Sequence, residues 1–278
     1  MFLAGHAFAA APSVDVNVVA DTTAIEPGKP FQMAITVTPE PGWHIYWKNV
    51  GDSGLPTQVK NWKFPDGFVA GDLQFPIPRR STLPGDITIY GYEGPTTFLV
   101  TITPPKNLQP GTPVVLQGTV SWLCCREVCI PGKQPFEVSL LVTQQATAAN
   151  EPLFKAAQAQ MPLDHPPTAL GMINVETSKT ADGEAFTLKM GTPGLKLELF
   201  PENIPELNVS DIHSPADSEI HFNARVLKGQ KLTVQELPVL IVYSNAAGDH
   251  AASADPTDSR TGFYTKINLS GLSASDNH

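Results

Sequence analysis

The chain reads as an all-β protein of two antiparallel β-sandwiches in tandem, joined by a short, partly helical linker. Three observations lead there. Of its 278 residues, 41% are hydrophobic and only 16% charged, enough apolar material for buried cores and too little charge for a disordered chain. Gly and Pro, at 21 and 27 residues, punctuate short runs rich in β-branched and aromatic residues, the pattern of many strands joined by turns. The runs also form two sets separated by one Ala/Gln-rich stretch, and a chain of this length divides into about two domains of ~100–150 residues.

Residues 1–12 come first. MFLAGHAFAAAPS is a short apolar stretch followed by small residues of the A-x-A type, as a secretory signal ends, although the positive start is missing. It is expected to be a signal-peptide remnant outside the fold, which makes the protein an exported one. The first sandwich is expected over 13–147, with strands at VDVNVVAD, FQMAITVTP, TTFLVTITPP, TPVVLQGTVSWL and PFEVSLLVTQ, bounded by Pro, Gly and Asp. In the linker, 148–167, EPLFKAAQAQ favours a helix that the following prolines stop. A second sandwich is expected over 168–272, with strands at AFTLKM, LKLELFP, EIHFNARVL, LPVLIVYS and FYTKINLS, and a tail over 273–278. No run of about 18 apolar residues occurs, so no membrane span is expected. A net charge of -9 with no Lys/Arg cluster argues against a nucleic-acid partner.

All three cysteines, Cys124, Cys125 and Cys129, stand in SWLCCREVCIPG. Neighbouring Cα atoms lie about 3.8 Å apart, too close for an unstrained Cys124–Cys125 bridge. Four residues of extended strand separate Cys125 from Cys129 by about 13 Å, too far for a bond. If GTVSWLC and CIPGKQPFEVSL are adjacent antiparallel strands, Arg126, Glu127 and Val128 form a three-residue hairpin loop with Cys125 and Cys129 facing across its mouth. Cys124 then points to the opposite face with Val120 and Trp122, a position where a thiol packs as a small apolar group.

Three uses of this sulfur remain open. A structural staple suits an exported protein, yet so small a loop contributes little stability. Thiolates select Cu(I), so a copper-binding or copper-tolerance module is the metal alternative. Zinc lacks the spaced Cys/His pairs it needs, the next histidine being His165. The third use is a dithiol that opens and closes in exchange.

PGWHIYWKNVGDSGLPTQV (Pro41 to Val59), FPIPRR (Phe75 to Arg80), IYGYEG (Ile89 to Gly94) and VSWLCCREVCIPG (Val120 to Gly132) follow one another in an order and at spacings similar to those of the amino-terminal periplasmic domain of DsbD-type thiol:disulfide interchange proteins. The ScsB-like branch is the nearest likeness. It covers about residues 14–145, and LKLELFPENIPEL extends it more weakly to the second sandwich. The resemblance implies immunoglobulin-like sandwiches and a family motif that selects Cys125 and Cys129 and leaves Cys124 at a variable position. It also implies a periplasmic exchange role without a cofactor or metal. A membrane-embedded donor on a separate chain would feed the pair, which would serve thioredoxin-fold or other disulfide-bearing clients. The loop matching IYGYEG shields the cysteines in that family, which assigns Ile89, Tyr90 and Tyr92 to a cap. Arg126, Glu127, Glu93, His44 and Trp122 are candidate supporting residues. The second sandwich has no cysteine, and His213, His221 and His250 show no metal-binding pattern, so a spacer or docking surface is expected there.

Overall fold

The structure, a computed structural model, describes residues 13–181, 183–245 and 260–272. The expected signal remnant, the tail and His250 lie outside the described residues. The chain divides into two compact units, Met1–Ala159 and Gln160–His278, and both are mostly β.

In the first unit the strands are β1 (Val14–Ala20), β2 (Ala24–Ile25), β3 (Phe31–Pro39), β4 (His44–Gly51), β5 (Gln58–Lys63), β6 (Val69–Ala70), β7 (Arg79–Leu83), β8 (Ile87–Glu93), β9 (Thr96–Thr103), β10 (Pro113–Cys125) and β11 (Cys129–Val142). One sheet runs β1-β3-β9-β6, the other β2-β11-β10-β4-β8-β7, with β5 also paired to β10. This is the immunoglobulin-like sandwich expected. The sequence of β10 shows why it forms: Val114, Leu116, Gly118, Val120, Trp122 and Cys124 are buried, while the residues between them are exposed or half-buried, the period-2 pattern of a strand with one face on a core. Its pairing with β11 is unbroken from Pro113↔Leu141 to Cys125↔Cys129. On its other edge β5 pairs over Gln117–Ser121, and β4 meets it at Cys125↔His44.

The helix α1 (Glu151–Ala159) lies within the segment read as a linker, yet it belongs to the first unit. It buries Phe154 and Ala157. Asn150 Nδ2 donates to Ala20 O at 2.8 Å, and Gln158 Nε2 donates to Gln32 Oε1 at 2.9 Å. Beyond it, Leu163 N donates to Gly262 O in the second unit, and Tyr264 N donates back to Leu163 O.

The second unit contains a short 3-10 turn at Thr168–Leu170, then β12 (Ile173–Lys179), β13 (Glu184–Met190), β14 (Leu195–Pro201), β15 (Leu207–His213), β16 (Glu219–Val226), β17 (Glu236–Asn245) and β18 (Thr261–Asn268). Two antiparallel sheets, β12-β13-β16-β15 and β14-β17-β18, enclose Phe186, Leu188, Leu199, Phe222, Ile241 and Phe263. The strand runs in the sequence correspond to β13, β14, β16, β17 and β18. They do not include β12 and β15. Apart from its first residue, β12 is exposed throughout, and the β15 register shifts between Ser210 and His213. Neither carries the apolar alternation that marks a strand in sequence.

Candidate functional site

Cys125 ends β10 and Cys129 begins β11. They are register partners and are joined by a disulfide with Cα atoms 4.1 Å apart. Arg126 N donates to Val128 O at 3.1 Å across the loop, whose three residues are all exposed. The two sulfurs differ in access: Cys125 is 2% exposed, whereas Cys129 is exposed. A crosslink around so short a loop removes little entropy from the unfolded chain, about 2 kcal/mol.

A second contact system surrounds the buried cysteine. Cys125 packs with Tyr46 of β4 and Ile89 of β8, flanked by Val50, Leu83 and Leu123. His44 is the register partner of Cys125 on one side and of Glu93 on the other. Cys, His and Glu therefore stand in one row across β10, β4 and β8, and partners in a row project to the same face. His44 Nε2 and the Tyr46 hydroxyl share a hydrogen bond of 3.1 Å, with the two rings edge to face. Burial pushes the His44 imidazole below its ordinary value, and the charge of Glu93 pulls it back up. Gly54, at φ +137°, presses its backbone on the Tyr46 ring so closely that a Cβ would lie 2.4 Å from Cε1. Beside the loop, the Arg126 guanidinium lies 5.2 Å from the centre of the Trp43 ring.

Each residue proposed from sequence has a definite place here. Ile89 packs with Cys125, His44 is its register partner, Glu93 stands opposite His44 on the next strand, Arg126 is stacked at the loop, and Glu127 is exposed on it. Trp122 turns its indole over Gly132, its register partner, where an added Cβ would fall 2.4 Å from the ring. The segment IYGYEG is not a loop but mostly strand β8, hydrogen-bonded between β4 and β7. Alternation along that strand separates its members. Ile89 faces Cys125, whereas Tyr90 is edge-on to buried Trp47 and Tyr92 is edge-on to Phe98 in the opposite sheet. The Tyr92 hydroxyl donates to Pro76 O at 2.7 Å. The aromatic ring packed with Cys125 is thus Tyr46, which sequence reading did not single out. Its position two residues after His44, on the same strand face, was the available signal. Among the described residues, no three His, Cys, Asp or Glu side chains converge as a metal site.

The model of the family described as "Thiol:disulfide interchange protein DsbD, N-terminal" matches residues 13–141. Among solved structures, the chain is similar to the N-terminal periplasmic domain of ScsB from Proteus mirabilis, with 16% identity, a TM-score of 0.61, and coverage of 92% of this chain and 94% of that one. At this identity the likeness is one of fold. The sporulation control protein Spo0M from Bacillus subtilis is 11% identical over 92% of this chain and 91% of its own, with a TM-score of 0.23, too low to carry an argument. No curated protein matches the chain. The matched residues, 13–141, hold the paired cysteines and every strand around them, so over this span the chain is similar to the N-terminal domain of DsbD thiol:disulfide interchange proteins.

Proposed function

We propose that this protein passes electrons between a membrane reductase and client disulfides in the periplasm, through reversible opening of Cys125–Cys129. The carrying observation is the asymmetry of the pair: a disulfide at a hairpin mouth with exposed Cys129 and buried Cys125. Exchange needs one sulfur within reach of a partner and a second close enough to resolve the mixed disulfide. Loading begins when a donor thiolate attacks Cys129 Sγ and the electron pair of the broken bond goes to Cys125. A second donor thiolate then releases Cys129, leaving the dithiol. Unloading follows when the Cys129 thiolate attacks a client disulfide, and Cys125 then attacks Cys129 and frees the client as a dithiol. The family match and the fold likeness to a periplasmic domain support this reading. No helix among the described residues is long and apolar enough to cross a membrane.

Equilibration of the full chain with dithiol/disulfide buffers tests the proposal. An exchanger should show a reduction potential above about -300 mV, and a value below that marks an inert staple. Trapping with a Cys125→Ser variant should retain clients on Cys129 as mixed disulfides.

A further inference from the structure

We propose that His44 is the proton acceptor for Cys125, held and charge-balanced by Glu93, so that one row across three strands forms a Cys125–His44–Glu93 relay for the resolving step. The inference rests on the exchange reading above and assigns the residue that makes its second half possible.

The need arises from burial. Once Cys129 has attacked a client disulfide, Cys125 must lose its proton before it can attack, because the thiolate is the nucleophile. Cys125 is 2% exposed and clusters with Tyr46 and Ile89, against which Val50, Leu83 and Leu123 pack, surroundings that exclude water and disfavour a bare thiolate. A base must therefore come from the protein. His44 stands directly opposite in the antiparallel register, where Cβ atoms lie about 4.5–5.5 Å apart. It is itself buried, 7% exposed, and one of its ring nitrogens is engaged with the Tyr46 hydroxyl, which fixes the ring and leaves Nδ1 as the second nitrogen. Burial keeps the imidazole neutral and able to accept, while Glu93 on the next strand favours the imidazolium once formed.

The charged and titratable groups around His44 are Tyr46 on its own strand, Glu93 from β8 and Cys125 from β10. Arg126 lies beside them, stacked on neighbouring Trp43. In the resolving step the Cys125 proton passes to His44, Cys125 Sγ bonds to Cys129 Sγ, and the Cys129–client bond breaks with its electron pair on the client sulfur. The client is reduced, the Cys125–Cys129 dithiol is oxidised, and the proton on His44 returns through solvent to the client thiolate.

The test uses the full chain in a Cys124→Ala background, fully reduced and mixed with the aromatic disulfide 5,5'-dithiobis(2-nitrobenzoate). Cys129 attack releases the first coloured thiolate and Cys125 resolution the second, so one trace separates the steps. His44→Gln should slow the second phase about 100-fold at neutral pH, the scale of a lost general base, with the first phase as internal reference. Glu93→Gln, a change at an exposed residue that the fold tolerates, should slow the second phase less and move its pH inflection downward. Removing that carboxylate weakens the hold of His44 on a proton. A second phase unchanged in rate and pH profile in Glu93→Gln and in folded His44→Gln overturns the relay, as does equal slowing of both phases. A parent protein that releases only one thiolate refutes the exchange reading itself, and the relay with it.

Discussion

Three sulfurs within six positions occupy three environments, and single-residue geometry sets what each can do. Cys129 is exposed, Cys125 is buried against Tyr46 and Ile89, and Cys124 is fully buried on the core face of β10. Burial, with a smaller contribution from Glu40, pushes the Cys124 thiol up to about 11 from its ordinary value of 9.0. The raised value favours the folded state below pH 9 and is a stability contribution lost as pH rises through about 11. It also keeps Cys124 out of exchange with the neighbouring disulfide, because a protonated thiol is a poor nucleophile. Native protein in reductant at pH 8 should therefore alkylate at Cys129 and leave Cys124 unmodified until the chain is unfolded, as peptide mass spectrometry will show. Modification of native Cys124 at a rate near that of Cys129 contradicts its burial. At the other end of the motif, the Trp122 indole rests on Gly132 where a side chain has no room, which ties the Trp and the Pro-Gly of SWLCCREVCIPG together as cross-strand neighbours.

At the scale of elements, β8 has two duties, one on each face. Ile89 packs with Cys125 on one side, while Tyr90 and Tyr92 fill the sandwich on the other. A strand inverts its side chains at every residue, so a segment whose aromatic residues read as one cap is in fact divided between site and core. Ile89→Ala should speed alkylation of the reduced cysteine pair by a bulky maleimide, because it opens the covering of Cys125. Tyr92→Phe should leave that rate unchanged and cost about 1–3 kcal/mol in chemical denaturation, since it removes a buried donor from Pro76 O. The opposite outcome, faster alkylation in Tyr92→Phe alone, would assign the covering to the tyrosine face.

For the whole molecule, the paired cysteines and the family match reside in the first unit, and the second contributes a separate apolar core without cysteine. The expected role of that second unit is a spacer or docking surface, and a fragment of residues 13–159 tests it. The fragment must extend through α1, because Phe154 and Ala157 belong to the first unit's buried residues. It should fold and match the full chain in exchange with a small dithiol while losing rate with a trapped natural client. Equal loss of both rates in a folded fragment would show that the second unit completes the site. The fold of the whole chain is similar to that of the N-terminal periplasmic domain of ScsB over 92% of its length.

The sequence alone determined that the protein is all-β and that α1 lies near Glu151, and it placed Cys125 and Cys129 across a three-residue loop on the condition that their two strands pair. Each follows from local rules: apolar alternation, helix propensity ended by proline, and the reach of an extended chain. It also held β1, β3, β9, β10 and β11 of the first unit and β13, β14, β16, β17 and β18 of the second, but not β4 or β8, which flank the cysteine pair. It did not disclose β12 or β15, whose side chains are largely exposed or only partly buried, because hydrophobic pattern records burial and little else. Nor did it disclose which residues surround Cys125. His44 and Glu93 are 81 and 32 positions away from it in the chain, and only the pairing of β10, β4 and β8 aligns them. Strand order and register arise from long-range hydrogen bonding and from the packing of two sheets, so tertiary structure alone decided that Tyr46 and Ile89, rather than Tyr90 and Tyr92, lie against the buried sulfur.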